Sequence, residues 1–205
     1  MPISEPTRRQ FLCGLAATLA LPLLPLGARP AAALSEGQAQ QLIGQVMDEV
    51  HGIINSGASE SRMIGRFEGL FDQFGDVPVI ARSVLGPPAR GASAAQLSNF
   101  TAAFRGYMAR KYGRQFRRFI GASVQVQQAR QVQNFWEVIT TMTMRGEAPF
   151  EVRWHVSDRS GRPLFFNLII EGVNLLAAER QEIGTMLERR GGNIDRMIQD
   201  LQAAG

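Results

Sequence analysis

The sequence predicts an α+β fold: helices, then an antiparallel meander of about four strands, then helices again. Three observations carry this. Apolar residues recur at three- and four-residue spacing in blocks from Ser35 to about Ile120. The spacing then falls to two between Val124 and Ile170. Helical spacing returns after Gly172. Helical and strand blocks kept apart in this order indicate α+β rather than alternating α/β.

The first 33 residues read as an export signal, outside the fold. Thr7-Arg8-Arg9-Gln10-Phe11-Leu12 is a twin-arginine pattern, and an apolar run follows from Leu12 to Leu26. Ala31-Ala32-Ala33 offers small residues for cleavage. Pro22 and Pro25 break the run, which makes it a poor membrane anchor. Residues 34–205 are then a single domain.

The only cysteine, Cys13, falls inside the signal, so the exported chain has no thiol. That excludes disulfides, cysteine nucleophiles and thiolate metal sites. Setting aside Glu5, Arg8, Arg9 and Arg29 leaves 19 basic and 17 acidic residues, a net charge near +2. Such a balance gives no reason to expect nucleic-acid binding.

Ser35 to Ser56 reads as an amphipathic helix, with Leu42, Ile43, Val46, Met47, Val50, Ile53 and Ile54 on one face and a Ser35/Gln38 capping box. Ser59 to Phe74 is a second helix. A short third one follows Asp76 as cap, with Pro78 in its first turn. Ser93 and Gln96 open a long helix to about Ile120, which Gly113 bends or splits.

Val124 to Val132 alternates weakly with glutamines, and Phe135 to Met144 is a clearer strand. In the third strand Phe150, Val152, Trp154 and Val156 point one way; Glu151, Arg153, His155 and Ser157 point the other. The fourth is apolar on both faces: Leu164, Phe166, Leu168 and Ile170 against Phe165 and Ile169. A strand of that kind is covered on both sides. Leu176 to Arg190 and Asn193 to Leu201 close the chain as helices.

Sites for chemistry are scarce. His51 and His155 are distant in sequence, lack partners at ligand spacing, and read as ordinary histidines, His155 on a solvated face. There is no nucleophile elbow and no phosphate loop. The positions assigned inward, Trp136, Val138, Met142, Phe150, Val152, Trp154, Leu168 and Ile170, include none that titrates. Glu171 reads as a structural hydrogen-bond partner at the Gly172 bend. Arg105, Arg110, Lys111, Arg114, Arg117 and Arg118 form a basic run. It is either a solvated helix face or a contact for something anionic. The many phenylalanines and methionines fill a core or, taken together, line an apolar cavity.

Four segments carry a resemblance to a known family. They are Phe71-Asp72-Gln73-Phe74-Gly75-Asp76, Ile80-Ala81-Arg82-Ser83-Val84-Leu85-Gly86, Phe100 to Tyr107, and Ile170-Glu171-Gly172-Val173-Asn174-Leu175 followed by Arg180. The chain, from about residue 40 to 203, resembles the MlaC or toluene-tolerance family of periplasmic phospholipid-binding proteins. The resemblance implies a curved sheet forming a nuclear-transport-factor-like cone packed by helices, with acyl chains held inside. It further implies a periplasmic carrier, not an enzyme, without cofactor. Such a carrier passes phospholipid between an outer-membrane lipoprotein complex and an inner-membrane ABC transporter with an MCE-domain ring. A monomer is expected.

Three departures stand out. Gly161-Arg162-Pro163-Leu164 replaces the family's Gly-x-Trp-Lys, Asn167 its common aspartate, and Asn174 its serine. A hopanoid-associated branch of the family could carry such differences.

The candidate lipid contacts, chosen by periodicity, are Val77, Ile80, Ala81 and Val84 of the short helix and Phe104 and Tyr107 of the long one. Trp136, Val138, Val152, Trp154, Leu168 and Ile170 of the sheet complete them. Arg110, Arg114 and Arg117 are the candidate headgroup or partner contacts. Each buried methylene is worth about 0.8 kcal/mol, so two ordinary acyl chains would lose roughly 20 kcal/mol in water. A carrier must replace the membrane with continuous apolar surface. Two rivals stay open: an isomerase-like enzyme on the same cone, which needs an inward carboxylate or histidine, and an interaction module with a filled core.

Replacing Arg8 and Arg9 by lysine is expected to keep the protein in the cytoplasm, scored by cell fractionation and blotting. Normal recovery of that variant from the periplasmic fraction would refute the signal reading.

Overall fold

The structure, a computed structural model, describes residues 33–204, without the side chains of Phe116 and Arg117. The export-signal reading of residues 1–33 lies outside them, Ala33 excepted. The described residues form α1 (Glu36–Ile54), α2 (Glu60–Phe74), α3 (Val77–Leu85) and α4 (Ala94–Gly113). Five strands follow: β1 (Ser123–Val132), β2 (Phe135–Thr143), β3 (Phe150–Ser157), β4 (Leu164–Ile170) and β5 (Val173–Asn174). Then come α5 (Leu175–Arg189) and α6 (Ile194–Ala203). The strands pair in chain order as one antiparallel sheet. The expected α+β fold is present, with a fifth, two-residue strand added.

Local signals placed most helix ends. Ser35 and Ser93 each accept from the backbone N–H three residues on, and Gln38 and Gln96 return the bond, so both capping boxes form. The long helix ends at Gly113, and a 3-10 turn, Phe116–Phe119, replaces its expected last turns. Arg110, Arg114 and Arg117 therefore do not share one helical face.

Asp76 occupies the N-cap position of α3 without capping it. Its carboxylate instead accepts from the Ser160 hydroxyl in the β3–β4 turn, and its backbone N–H donates to Phe165 O at 2.8 Å. The α2–α3 junction is thus fastened to β4. Further along, Gly86 takes a backbone conformation (φ 69°) that favours glycine, and a Cβ there would come within 2.9 Å of the Arg180 guanidinium. This contact holds α3 to α5.

The alternation expected for β4 is broken by a bulge. Val156 pairs with Phe165 but His155 pairs with Asn167, so Phe166 is the extra residue. Phe165 consequently joins the face of Trp154 and Leu168, meeting the indole edge-on at 5.6 Å. Phe166 packs against Phe135 and His155 instead. The sheet then turns on Glu171 (φ 48°) and Gly172 (φ 82°), two left-handed residues that make a tight hairpin into β5. Glu171 contributes its backbone, its N–H donating to Glu151 O, and its side chain is exposed.

On one face of the sheet, cross-strand pairing groups Val138 with Trp154 and Leu168, and Thr140 with Val152 and Ile170. Helix α1 packs on the sheet, α4 on α2 and α6, and α3 on α5. Within that face the Trp154 indole N–H donates to Thr140 Oγ1 at 3.2 Å, and Thr140 donates to Val152 O at 3.1 Å. Thr140 is fully buried.

Thr140→Val keeps the shape and strands the indole N–H. It is expected to lower the unfolding free energy by about 1–3 kcal/mol in urea denaturation. Thr140→Ser should stay close to wild type; an unchanged midpoint for the valine variant would remove this bond from the account of the sheet.

Candidate functional site

The cavity face of the sheet does not fill completely. A partly enclosed apolar cavity of about 340 Å³ lies between β2, β3 and β4 on one side and α1, α2 and α4 on the other. The volume falls in the range of small-molecule pockets, roughly 300–1,000 Å³. Val46, Met47, Val50 and Ile54 of α1 and Phe67, Leu70 and Phe71 of α2 form the helical wall. The sheet supplies Met142, Phe150, Val152, Trp154, Phe165, Leu168 and Ile170. Among the described residues its polar side chains are those of His51, Tyr112 and Gln115, with the indole N–H of Trp154, and no carboxylate, lysine or arginine lines it.

Of the candidate lipid contacts, Val152, Trp154, Leu168 and Ile170 line this cavity. Ile80, Val84 and Phe104 face a smaller neighbouring one, of about 50 Å³, between α3, α4, α5 and β4. Val77 borders a shallow groove at the surface with Pro78, Val79 and Leu97. Ala81, Tyr107, Trp136 and Val138 are on neither wall. Ala81 and Val138 are fully buried in the core, and the Trp136 indole N–H donates to Leu34 O at 2.7 Å.

The helical wall thus comes from α1 and α2, where periodicity pointed to α3. The reason lies in packing: α3 lies on α5, α4 and β4, while α1 lies on β1, β2 and β3. The stripe of α1 was visible in sequence as a core face. His51, one turn beyond Met47, continues that stripe into the cavity. It is the inward-facing titratable group that the sequence reading missed.

The basic run proves to be mostly a set of ties between helices. Arg105 pairs with Glu68 and Asp72 of α2. Arg110 donates to Leu201 O and Ala204 O, satisfying carbonyls at the end of α6. Arg114 is exposed, and the Arg117 side chain is outside the described residues.

Lys111 is the centre of a polar cluster behind the cavity wall. Its ammonium donates to Glu179 at 2.7 Å, to Glu182 and to the Tyr107 hydroxyl. Tyr107 donates to Glu182 and Tyr112 to Glu179, so both tyrosine tips are bound. Burial opposes the charge on Lys111, but its bonds to Glu179, Glu182 and Tyr107 outweigh this and hold its pKa above the ordinary value. Burial likewise pushes both phenols up. An upward lysine shift stabilises the fold below the ordinary value and is lost only as pH rises through the folded one. The cluster therefore persists across the neutral range.

His155 is not the solvated histidine that strand alternation suggested. Its ring lies between Phe135 and Phe166, with Nε2 3.2 Å from Glu137 and Nδ1 3.4 Å from the Asn167 amide. Burial lowers its pKa despite the Glu137 carboxylate. Asn167 donating to Nδ1 leaves an Nε2–H to donate to Glu137, the tautomer assigned by this network. Burial pulls Glu137 up, while bonds from Arg130 and His155 bring it below the usual carboxylate value. This network belongs to the sheet face away from the cavity.

Comparison with known proteins places this architecture. The family model described as MlaC protein matches residues 44–203. Among solved structures, a phospholipid-binding protein from Ralstonia solanacearum, determined in complex with a phospholipid, superposes with a TM-score of 0.69 at 18% identity. The match covers 81% of this chain and 96% of that one. Identity at that level makes this a likeness of fold.

Lys111→Met leaves Glu179, 2% exposed, without its cation. The variant is expected to lose about 3–5 kcal/mol of stability. Adding Glu179→Gln should recover part of that loss by removing the stranded charge. Equal unfolding midpoints for wild type and Lys111→Met would show that the pair contributes nothing.

Proposed function

The chain belongs to the MlaC protein family, and from that premise we propose that it is a periplasmic phospholipid carrier. It shields acyl chains in the cavity between sheet and helices and carries lipid between the outer membrane and an inner-membrane ABC transporter. The observation that carries the reading is the cavity itself: about 340 Å³, walled mostly by aliphatic, aromatic and methionine side chains, with no carboxylate, lysine or arginine among the described residues that line it. An acyl chain needs such a wall, because each methylene left in water costs about 0.8 kcal/mol. The phospholipid held by the protein of like fold from Ralstonia solanacearum supports the same class of cargo.

Export to the periplasm rests on the twin-arginine pattern at Arg8 and Arg9. The docking partners, an MCE-domain ring on the transporter and an outer-membrane lipoprotein complex, rest on family membership. Val152, Trp154, Leu168 and Ile170 remain the proposed lipid contacts, joined now by the α1 and α2 wall. Arg114 and Arg117 remain the proposed headgroup or partner contacts; Arg110 is engaged with the end of α6.

The rival enzyme reading asked for an inward titratable group, and His51 is one. General acid–base chemistry also needs a second group to receive or return the proton. No carboxylate stands in this wall among the described residues, and the Tyr112 hydroxyl is donated to Glu179. Binding is therefore the better reading.

The test is to purify the protein natively, extract it with organic solvent and identify the lipid by mass spectrometry. A phospholipid is expected, whereas a hopanoid would assign the cargo to that class. A lipid-free protein unable to take lipid from vesicles would overturn the carrier. Leu168→Trp, which fills the cavity, should cut bound lipid several-fold at unchanged secondary structure by circular dichroism. Undiminished lipid in that variant would move the cargo elsewhere.

A further inference from the structure

One polar atom of the cavity wall has no partner. Among the described residues, His51 Nε2 and Glu179 Oε2 are the buried side-chain polar atoms without a hydrogen bond. Glu179 Oε2 borders the small neighbouring cavity and belongs to a carboxylate already held by Lys111 and Tyr112. His51 is different: it lines the larger cavity, and nothing holds its Nε2. The other polar side chains of that wall have bonds of their own or reach solvent, as the exposed Gln115 does. The Tyr112 hydroxyl donates to Glu179, the Trp154 indole to Thr140, and the Gln115 amide to Lys111 O at 3.5 Å. A buried polar atom without a partner calls for an explanation, and at a cavity wall a ligand that completes the bond supplies one.

We propose that His51 Nε2 donates a hydrogen bond to an ester carbonyl of the bound lipid and so sets how deep the cargo sits. This assignment rests on the carrier reading. Three features select the carbonyl. The wall around His51 is apolar, with Met47, Val50 and Ile54 on the same helix. Among the described residues no lysine or arginine lines the cavity to neutralise a phosphate, so an anionic group would lie there desolvated and without a counter-charge from them. A neutral acceptor carried within an otherwise apolar molecule suits the site, and in a diacyl lipid that acceptor is the ester oxygen at the top of each chain. With the carbonyl bound at His51, the chains run into the apolar wall and the headgroup stays outside it. The imidazole donates as the Nε2–H tautomer.

His51 also stands in the last turn of α1, where a purely structural role is the alternative. That role predicts no preference between lipids, so lipid chemistry separates the two. The purified protein is titrated with vesicles of phosphatidylglycerol and phosphatidylethanolamine carrying either ester-linked chains or the same chains ether-linked, which lack the carbonyl.

Wild type is expected to prefer the diester by roughly two- to tenfold. His51→Phe should abolish the preference, so that the same variant binds diester and diether equally, whereas His51→Gln, which keeps a donor, should retain part of it. Thermal melts report whether each variant is folded, and the wild-type comparison needs no variant at all. Equal binding of both lipids by wild type, or an undiminished preference in folded His51→Phe, overturns the assignment and leaves the carrier standing. Failure of wild type to bind either lipid overturns both.

Discussion

Burying a polar group in an apolar cavity wall is costly unless the group finds a partner behind the wall, and here His51 Nε2 is the exception. Much of this structure follows from that constraint. The wall uses Trp154 and Tyr112 for their ring surface, and each has a polar tip. Thr140 accepts from Trp154 and passes the bond to the backbone of Val152. Glu179 accepts from Tyr112 and is in turn held by Lys111. Outside the cavity, Leu34 answers Trp136 in the same way. The polar tips thus become the ties between layers: strand to strand, α4 to α5, and the start of the domain to the sheet.

The segments that carry the family resemblance acquire physical reasons. Asp76 fastens the α2–α3 junction to β4 through Ser160 and the Phe165 backbone. Gly86 and Arg180, far apart in sequence, form one close contact between α3 and α5. The departures fit as well. Asn174 Oδ1 caps α5 by accepting from Ala177, a task a serine could also perform. Asn167 accepts from the Leu176 N–H and also donates to His155 Nδ1. An ionised aspartate could do only the first. The amide at this position therefore goes with the buried histidine across the strand.

What could be read from sequence divides along physical lines. Features set by neighbouring residues were legible: the capping boxes at Ser35 and Ser93, the bend at Gly172, and the alternation of β3. The inward face of β3 followed from that alternation, and pairing across the sheet sets Leu168 and Ile170 of β4 beside Trp154 and Val152 on the cavity wall. Features set by distant residues were not. Periodicity shows that a helix has a buried face, not what that face meets, so α3 was assigned to the cavity in place of α1 and α2. Asp76 carries the composition of a cap and is used by a turn 84 residues away. His155 follows the polar phase of its strand, and only the fold brings Phe166, Glu137 and Asn167 around it.

The bulge at Phe166 has an outcome for comparing relatives of this chain. Because Phe166 is the extra residue, its removal would leave Val156 opposite Phe165 and His155 opposite Asn167, every partnership intact. The β3–β4 hairpin thus contains a position where chain length can differ by one without altering the sheet. Two sequences aligned there without a gap would match inward residues to outward ones on one side of it. A phenylalanine would then seem replaced by a polar residue where nothing in the interior had changed.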